Sequence, residues 1–211
     1  MKRKIVRTRS EYVEFIKVQN NRTNVYTTVY DFDLFSEYAK VDSSVVLDRV
    51  FLDFDAHDDS LPLAFDELKK VLEYAYSEDI EHTCFFSGRG FHLFLFGEIT
   101  TDIRTIQAYF RQIKKLLNGE TLDDRVGQST RLRRVPNTVN MSSKDENNNP
   151  YCCIPIFKED IDLGLNNILS LAKTIRKLPR RTTGTNKIVW PSVAPIEEVE
   201  GEVIAIVEEG R

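Results

Sequence analysis

Two hydrophobic periods alternate along the chain and mark out its elements. Val45 to Phe54 is largely apolar and β-branched, which predicts a central strand buried on both faces, with Asp53 and Asp55 interrupting its C-terminal end. Leu61, Phe65, Leu68, Val71, Leu72 and Ala75 then recur at helical spacing. They predict a core-packing helix capped by Asp59 or Ser60, with Glu67, Lys69 and Lys70 on its solvated face. The period returns to two for Thr83–Phe86 and Phe91–Phe96, a pair of strands joined by Ser87-Gly88-Arg89-Gly90. In the second strand His92, Phe94 and Phe96 share one face, and Phe91, Leu93 and Leu95 share the other. Asp102 to Leu117 reads as a helix with the stripe Ile103, Ile106, Phe110, Ile113 and Leu117, Thr101 or Asp102 as cap and Asn118-Gly119 as stop.

The flanks are plainer. A short helix through Glu11–Ile16 precedes a turn at Asn20–Asn24 and a strand over Val25–Tyr30. After a polar turn at Lys144–Pro150 come a strand over Tyr151–Ile156, with Pro155 favouring an edge or strand end, and a closing helix carrying Ile161, Leu165, Ile168, Leu169, Ala172 and Ile175. Residues 1–176 are expected to form the compact domain, and 177–211 a basic linker and an acidic tail. Within that tail Val203–Val207 reads as an edge strand or a partner-docking segment.

Composition narrows the class. A chain of 211 residues, 41% hydrophobic and 29% charged, suits one well-packed domain or two small lobes. No apolar run approaches the roughly 20 residues of a membrane-spanning helix. The polar start Met1-Lys2-Arg3-Lys4 leads into no signal-peptide core, so no membrane partner and a cytoplasmic location are expected. Cys84, Cys152 and Cys153 have neither disulfide nor zinc-site spacing, so buried, reduced thiols and no structural zinc are expected.

The net charge of −4 hides a segregation. Between Ile103 and Pro136 stand eight basic residues against three acids, whereas Pro195–Arg211 holds six glutamates and one arginine. A basic surface for an anionic polymer is therefore available locally. Arg104, Arg111, Lys114 and Lys115 lie largely off the apolar stripe of their helix, as a solvated face or as a rail for a template backbone.

Candidate chemistry gathers at three places. Asp53 and Asp55 project from the same strand face with Cα atoms roughly 7 Å apart. Two such charges repel by about 2 kcal/mol at an effective dielectric of about 20, and a divalent cation relieves this. Alone, the pair is equally an acidic strand end, since His57-Asp58-Asp59-Ser60 follows. The glycine turn sets Ser87, Arg89 and His92 on one hairpin, where an anion can approach the main chain. Leu122-Asp123-Asp124 leads into Arg131-Leu132-Arg133-Arg134, acids followed by a basic cluster that binds phosphate or simply pairs with them. Arg22 sits at the mouth of the Val25–Tyr30 strand.

Taken together these stretches resemble the catalytic core of the archaeo-eukaryotic primase superfamily. Phe51-Leu52-Asp53-Phe54-Asp55 looks like its first motif and Ser87-Gly88-Arg89-Gly90-Phe91-His92 its second. Leu122-Asp123, with Val126 three residues on, looks like its third, followed by a similar basic segment at Arg131-Leu132 and Arg134-Val135-Pro136. The likeness spans about residues 20–157.

It implies an α+β fold, the archaeo-eukaryotic primase fold, with an active-site cleft between an N-terminal αβ lobe and a lobe built on a sheet like that of RNA-recognition modules. The implied reaction is template-directed nucleotidyl transfer, with two Mg²⁺ or Mn²⁺ ions on Asp53, Asp55 and Asp123. Ser87, Arg89, His92, Arg134 and, by position, Arg22 would hold a nucleoside triphosphate. Arg131 would join Arg104, Arg111, Lys114 and Lys115 on a single-stranded or primed DNA template. Asp124 beside Asp123 leaves the third acid open by one residue, though the spacing to Val126 favours Asp123.

The chain departs from many primase small subunits in lacking cysteines placed for a zinc knob. Elongation is thus better supported than unaided initiation, which would draw on an accessory primase subunit or replication protein. A metal-dependent nuclease would use the same acids but needs no triphosphate cradle. A non-catalytic nucleic-acid-binding replisome adaptor needs neither.

Overall fold

The computed structural model describes residues 6–32, 44–56, 60–117 and 119–193. Five helices and nine strands follow in the order α1 (Arg9–Gln19), β1 (Tyr26–Thr28), β2 (Asp31–Phe32), β3 (Val45–Asp55), α2 (Leu61–Ser77), β4 (His82–Phe86), β5 (Gly90–Thr100), α3 (Ile103–Leu117), β6 (Leu132–Arg134), β7 (Val139–Lys144), β8 (Pro150–Cys152), β9 (Ile154–Ile156), α4 (Lys158–Leu163) and α5 (Leu165–Leu171). A short 3₁₀ turn at Asp124–Gly127 precedes β6. The class is α+β, as expected from the sequence.

An antiparallel sheet in the order β2-β3-β5-β4-β9 forms the centre. Because β3 and β4 both run antiparallel to β5, they are parallel to each other, and α2 carries the chain over the strand that separates them. Register fixes what each face holds. Val50, Leu52 and Phe54 stand opposite Leu95, Leu93 and Phe91, and all six are fully buried. This is the helix-covered face, where the rings of Phe65 on α2 and Phe91 lie 5.7 Å apart. The alternate residues, Phe51 opposite Phe94 and Asp53 opposite His92, point to the other side.

Several expectations change in detail. The strand expected over Val25–Tyr30 shortens to β1, which pairs with β6, while β2 just beyond it pairs with β3. Tyr151–Ile156 also divides, β8 joining β7 while β9 becomes the sheet edge, which is where Pro155 belongs. The closing helix breaks into α4 and α5 at Gly164, whose φ of 88° leaves the helical region.

Glu67 is not on a solvated face. It is 3% exposed and accepts hydrogen bonds from the backbone of Glu120 and Thr121 and from the Thr121 hydroxyl, at 2.7, 3.2 and 2.6 Å.

The segment read as a linker packs back on the domain as far as Trp190. Thr183 and His82 exchange backbone hydrogen bonds, Ile188 enters the core, and the Trp190 ring meets Tyr109 edge-on at 5.8 Å. The alternatives Asp59 as cap and Asn118 as stop, and the acidic stretch 194–211 with its Val203–Val207 run, lie outside the described residues. The three cysteines are buried and free. Among the described residues no helix is long and apolar enough to cross a membrane.

Candidate functional site

The sheet face away from α2 opens into a cleft of about 440 Å³. Asp53, Asp55, Ser87, Arg89, His92, Arg131, Arg133, Arg134, Tyr26 and Asn140 are among its lining.

Strand pairing sets Asp53 against His92 and Asp55 against Gly90. Gly88, at φ 97° as the first central residue, makes the β4–β5 connection a two-residue hairpin turn. The turn is braced by the Ser87 N–H donating to the Gly90 carbonyl at 2.8 Å, and by the Ser87 hydroxyl accepting from the Gly90 N–H at 3.2 Å. Gly90 serves close approach of the backbones rather than an anion, since a Cβ there would stand 2.1 Å from the Phe54 carbonyl oxygen. Asn140 donates to the Ser87 carbonyl at 3.1 Å and fills the space beside Gly88.

The third acid reaches the site by pairing with β3. The Asp55 N–H donates to the Thr121 carbonyl and the Asp123 N–H to the Asp53 carbonyl, both at 2.9 Å. Glu67, by gripping residues 120 and 121 from α2, pins this approach in place. Asp124 instead turns to Lys114, so Asp123 is the acid that the fold brings to Asp53.

Each carboxylate meets an arginine. One terminal nitrogen of Arg131 donates to Asp53 at 2.8 Å and to Asp123 at 2.5 Å. Arg125 donates to Asp123 from its backbone N–H and its guanidinium at 3.0–3.1 Å. Arg89 holds both oxygens of Asp55 at 2.9 Å.

Burial pushes Asp53 up to about 6, with Asp55 and Asp123 adding to the rise and Arg131 opposing it. Burial also acts upward on Asp123, but hydrogen bonds from Arg125 and Arg131 outweigh it and hold that carboxyl at about 2. His92 is lowered to about 3 by burial and then by Arg133, Arg134 and Arg131, so it is neutral at physiological pH. Its Nε2 lies 3.6 Å from Asp53, its Nδ1 is buried without a partner among the described residues, and its ring stands edge-on to Phe51 at 5.2 Å.

Arg134 donates to the Tyr26 hydroxyl at 3.1 Å and stacks on that ring. Arg133 lies over Phe94 at 5.0 Å and Phe85 at 6.0 Å.

Other expected contacts do not gather here. Arg22 is exposed on the turn after α1 and does not line the cleft. Arg104 pairs with Asp102 and Lys114 with Asp124, while Arg111 and Lys115 are exposed on α3. Arg131 is instead held between Asp53 and Asp123. Sequence reasoning missed Glu67, Arg133 and Asn140 as parts of this assembly. For Arg133 the only available signal was the tight arginine cluster; for Glu67 there was none, because its partners are backbone groups more than fifty residues away.

Among the described residues no three acidic, histidine or cysteine side chains converge as a ready cage for a metal ion. The donor set is nonetheless of the type a hard divalent cation takes, all carboxylate. Asp53 and Asp123 already share one cationic nitrogen, while Asp55 leans to Arg89. Asp53, Asp55 and Asp123 therefore fit such an ion in kind, with the arginines as the groups that would yield. No protein-family model matches the sequence, and no curated protein does.

Proposed function

We propose that this protein is a template-directed nucleotidyltransferase of the primase or primase-polymerase kind, acting in DNA replication. One observation carries the reading. Asp53, Asp55, Ser87, Arg89, His92 and Arg134, which come from three separate stretches of chain, line one cleft, and Asp123 binds the Arg131 that lines it too. The order β3-α2-β4-β5-α3, the first five elements of a β-α-β-β-α-β unit, supports a sheet lobe of the RNA-recognition kind within a primase fold.

Asp53, Asp55 and Asp123 would hold two Mg²⁺ or Mn²⁺ ions, which when bound supply Lewis-acid activation of a primer 3′-hydroxyl and charge stabilisation at the attacked α-phosphate. Arg134, and Arg89 once it leaves Asp55, bind the triphosphate as permanent cations. Neutral His92 donates a hydrogen bond without adding charge, and Ser87 shapes the turn that carries Arg89. Stacked on Phe94 and Phe85, Arg133 presents a cation on an aromatic floor. The basic side of α3, with Arg111 and Lys115 exposed and Arg104 and Lys114 half-buried beside Asp102 and Asp124, takes the single-stranded or primed template. An accessory subunit or replication protein would assist initiation.

The test is incubation with primed template, unprimed single strand, nucleoside triphosphates and Mg²⁺ or Mn²⁺. Primer extension abolished by Asp53→Ala with Asp55→Ala is the expected outcome. Extension that survives the double change refutes the site, and degradation without synthesis points to a nuclease.

A second reading, a non-catalytic nucleic-acid-binding module, is favoured by the arginine partner that each acid already has. Calorimetry separates the two: the polymerase reading requires metal-dependent nucleotide binding.

A further inference from the structure

We propose that Arg131 is an exchangeable internal cation that occupies the metal position between Asp53 and Asp123 and moves to the nucleotide's phosphates when a divalent ion enters. The inference rests on the polymerase reading and adds a positioning residue to it, coupling metal to nucleotide.

Two observations support it independently. The first is the bridge itself. A single nitrogen of Arg131 touches both carboxylates, at 2.8 and 2.5 Å, from a side chain 15% exposed, beside acids 16% and 12% exposed. Two acids held this close out of water need a positive charge between them, and Arg131 supplies it without a metal.

The second is a pair of unused donors. Among the described residues the Nε–H groups of Arg131 and Arg133 are buried without a hydrogen-bond partner, and so is His92 Nδ1, a ring nitrogen whose role follows its tautomer; all three residues line the same cleft. Buried donors without acceptors cost free energy. They are what a multiply charged phosphate ligand would satisfy.

The two states follow directly. Without metal, Arg131 compensates the acids and its Nε–H goes unsatisfied. With a metal ion on Asp53 and Asp123, like charges would repel Arg131 from the acids, and the phosphate oxygens of an incoming nucleotide would accept from it and from Arg133. The main chain keeps its hold in either state, through the Val29 N–H donating to the Arg131 carbonyl at 2.9 Å and the Arg131 N–H donating to the Gln128 carbonyl at 3.0 Å. Only the side chain has to move.

The experiment measures Mn²⁺ alone, by the loss of the free-ion paramagnetic resonance signal, on the full chain and on Arg131→Gln and Arg131→Lys. Glutamine removes the competing charge, so Mn²⁺ is expected to bind about tenfold tighter or more. Lysine keeps the charge but reaches less far and cannot bridge as a guanidinium does, so a smaller tightening, about threefold, is expected. With Mn²⁺ saturating, a fluorescent triphosphate analogue is expected to bind Arg131→Gln about fivefold or more weaker than the native chain. A merely structural arginine would weaken both ligands together; an exchanging one moves them in opposite directions.

Added Mn²⁺ is also expected to raise the melting temperature of Arg131→Gln more than that of the native chain. Should the glutamine variant not fold, the lysine variant decides, and unchanged Mn²⁺ affinity there overturns the proposal. Native Mn²⁺ binding that weakens in both variants overturns it while leaving the metal site standing. Absence of Mn²⁺ binding in every variant overturns the metal site and the proposal with it.

Discussion

The two faces of the central sheet are made by the same strands and differ only in which parity of residue they show. On β3 and β5 one set, Val50, Leu52, Phe54, Phe91, Leu93 and Leu95, packs under the helices with nothing polar to satisfy. The other set places Asp53 beside His92 in a cleft with Arg131, Arg133 and Arg134, where, among the described residues, two buried arginine Nε–H donors lack partners. The first face secures the fold and the second spends part of that stability on unpaired and crowded charge, a division expected where a site must bind a charged ligand. Two buried carboxylates show the same contrast: Glu67 is saturated by three donors, whereas Asp53 is pushed up to about 6.

If this division is correct, substitutions on the two faces should separate stability from binding. The largest effect is expected from Phe91→Ala, which empties a fully buried site against Phe65 and Phe86. Urea unfolding should show a loss of about 3–5 kcal/mol. Any variant that still folds should keep its nucleotide affinity.

Glu67→Ala comes next, with an expected loss of about 2–4 kcal/mol as the Glu120 and Thr121 donors are stranded. It should also weaken Mn²⁺ binding, because the turn that delivers Asp123 loses its anchor. Stability loss with unchanged metal affinity would show that Glu67 serves the core alone.

Acid sensitivity is the third test. Since His92 is lowered from 6.5 to about 3, the stability from keeping it neutral is complete above pH 6.5 and is lost as pH falls toward 3. Asp123, lowered from 3.8 to about 2, adds a loss below pH 3.8. Asp53 works oppositely, its rise from 3.8 to about 6 removing stability as pH increases across that window. Urea midpoints measured across pH should therefore fall less steeply between pH 6.5 and 3 in His92→Asn than in the native chain. An equal slope would place the acid transition elsewhere.

The smallest effect is expected from Asp53→Asn. Neutralising a carboxylate that the fold already disfavours in its charged form should leave stability at pH 7 unchanged or raised by about 1 kcal/mol, while the proposed nucleotidyl transfer should be lost. A loss as large as that of Glu67→Ala would mean that Asp53 is a structural acid like Glu67.

Much of this architecture was readable from periodicity. The apolar stretch before Asp53, the stripes of α2 and α3, and the alternation from Phe91 to Phe96 placed the sheet, its covering helices and the shared face of Asp53 and Asp55. The rest depended on partners remote in the chain. Glu67 looks like any surface glutamate on a helix, and the stretch from Lys177 to Lys187 looks like a linker until Thr183, Ile188 and Trp190 find strand edges and a ring to pack on. Arg131 was indistinguishable from its basic neighbours.

The sequence by itself determined the local elements and the face each residue takes, because side-chain period is a property of the strand or helix alone. Tertiary structure alone decided which charges meet. Arg131 between Asp53 and Asp123, Arg89 on Asp55 and Glu67 beneath residues 120 and 121 join groups separated by 78, 8, 34 and more than 50 positions. A charge carries no period, so its partner is fixed only when the sheet brings distant strands into register.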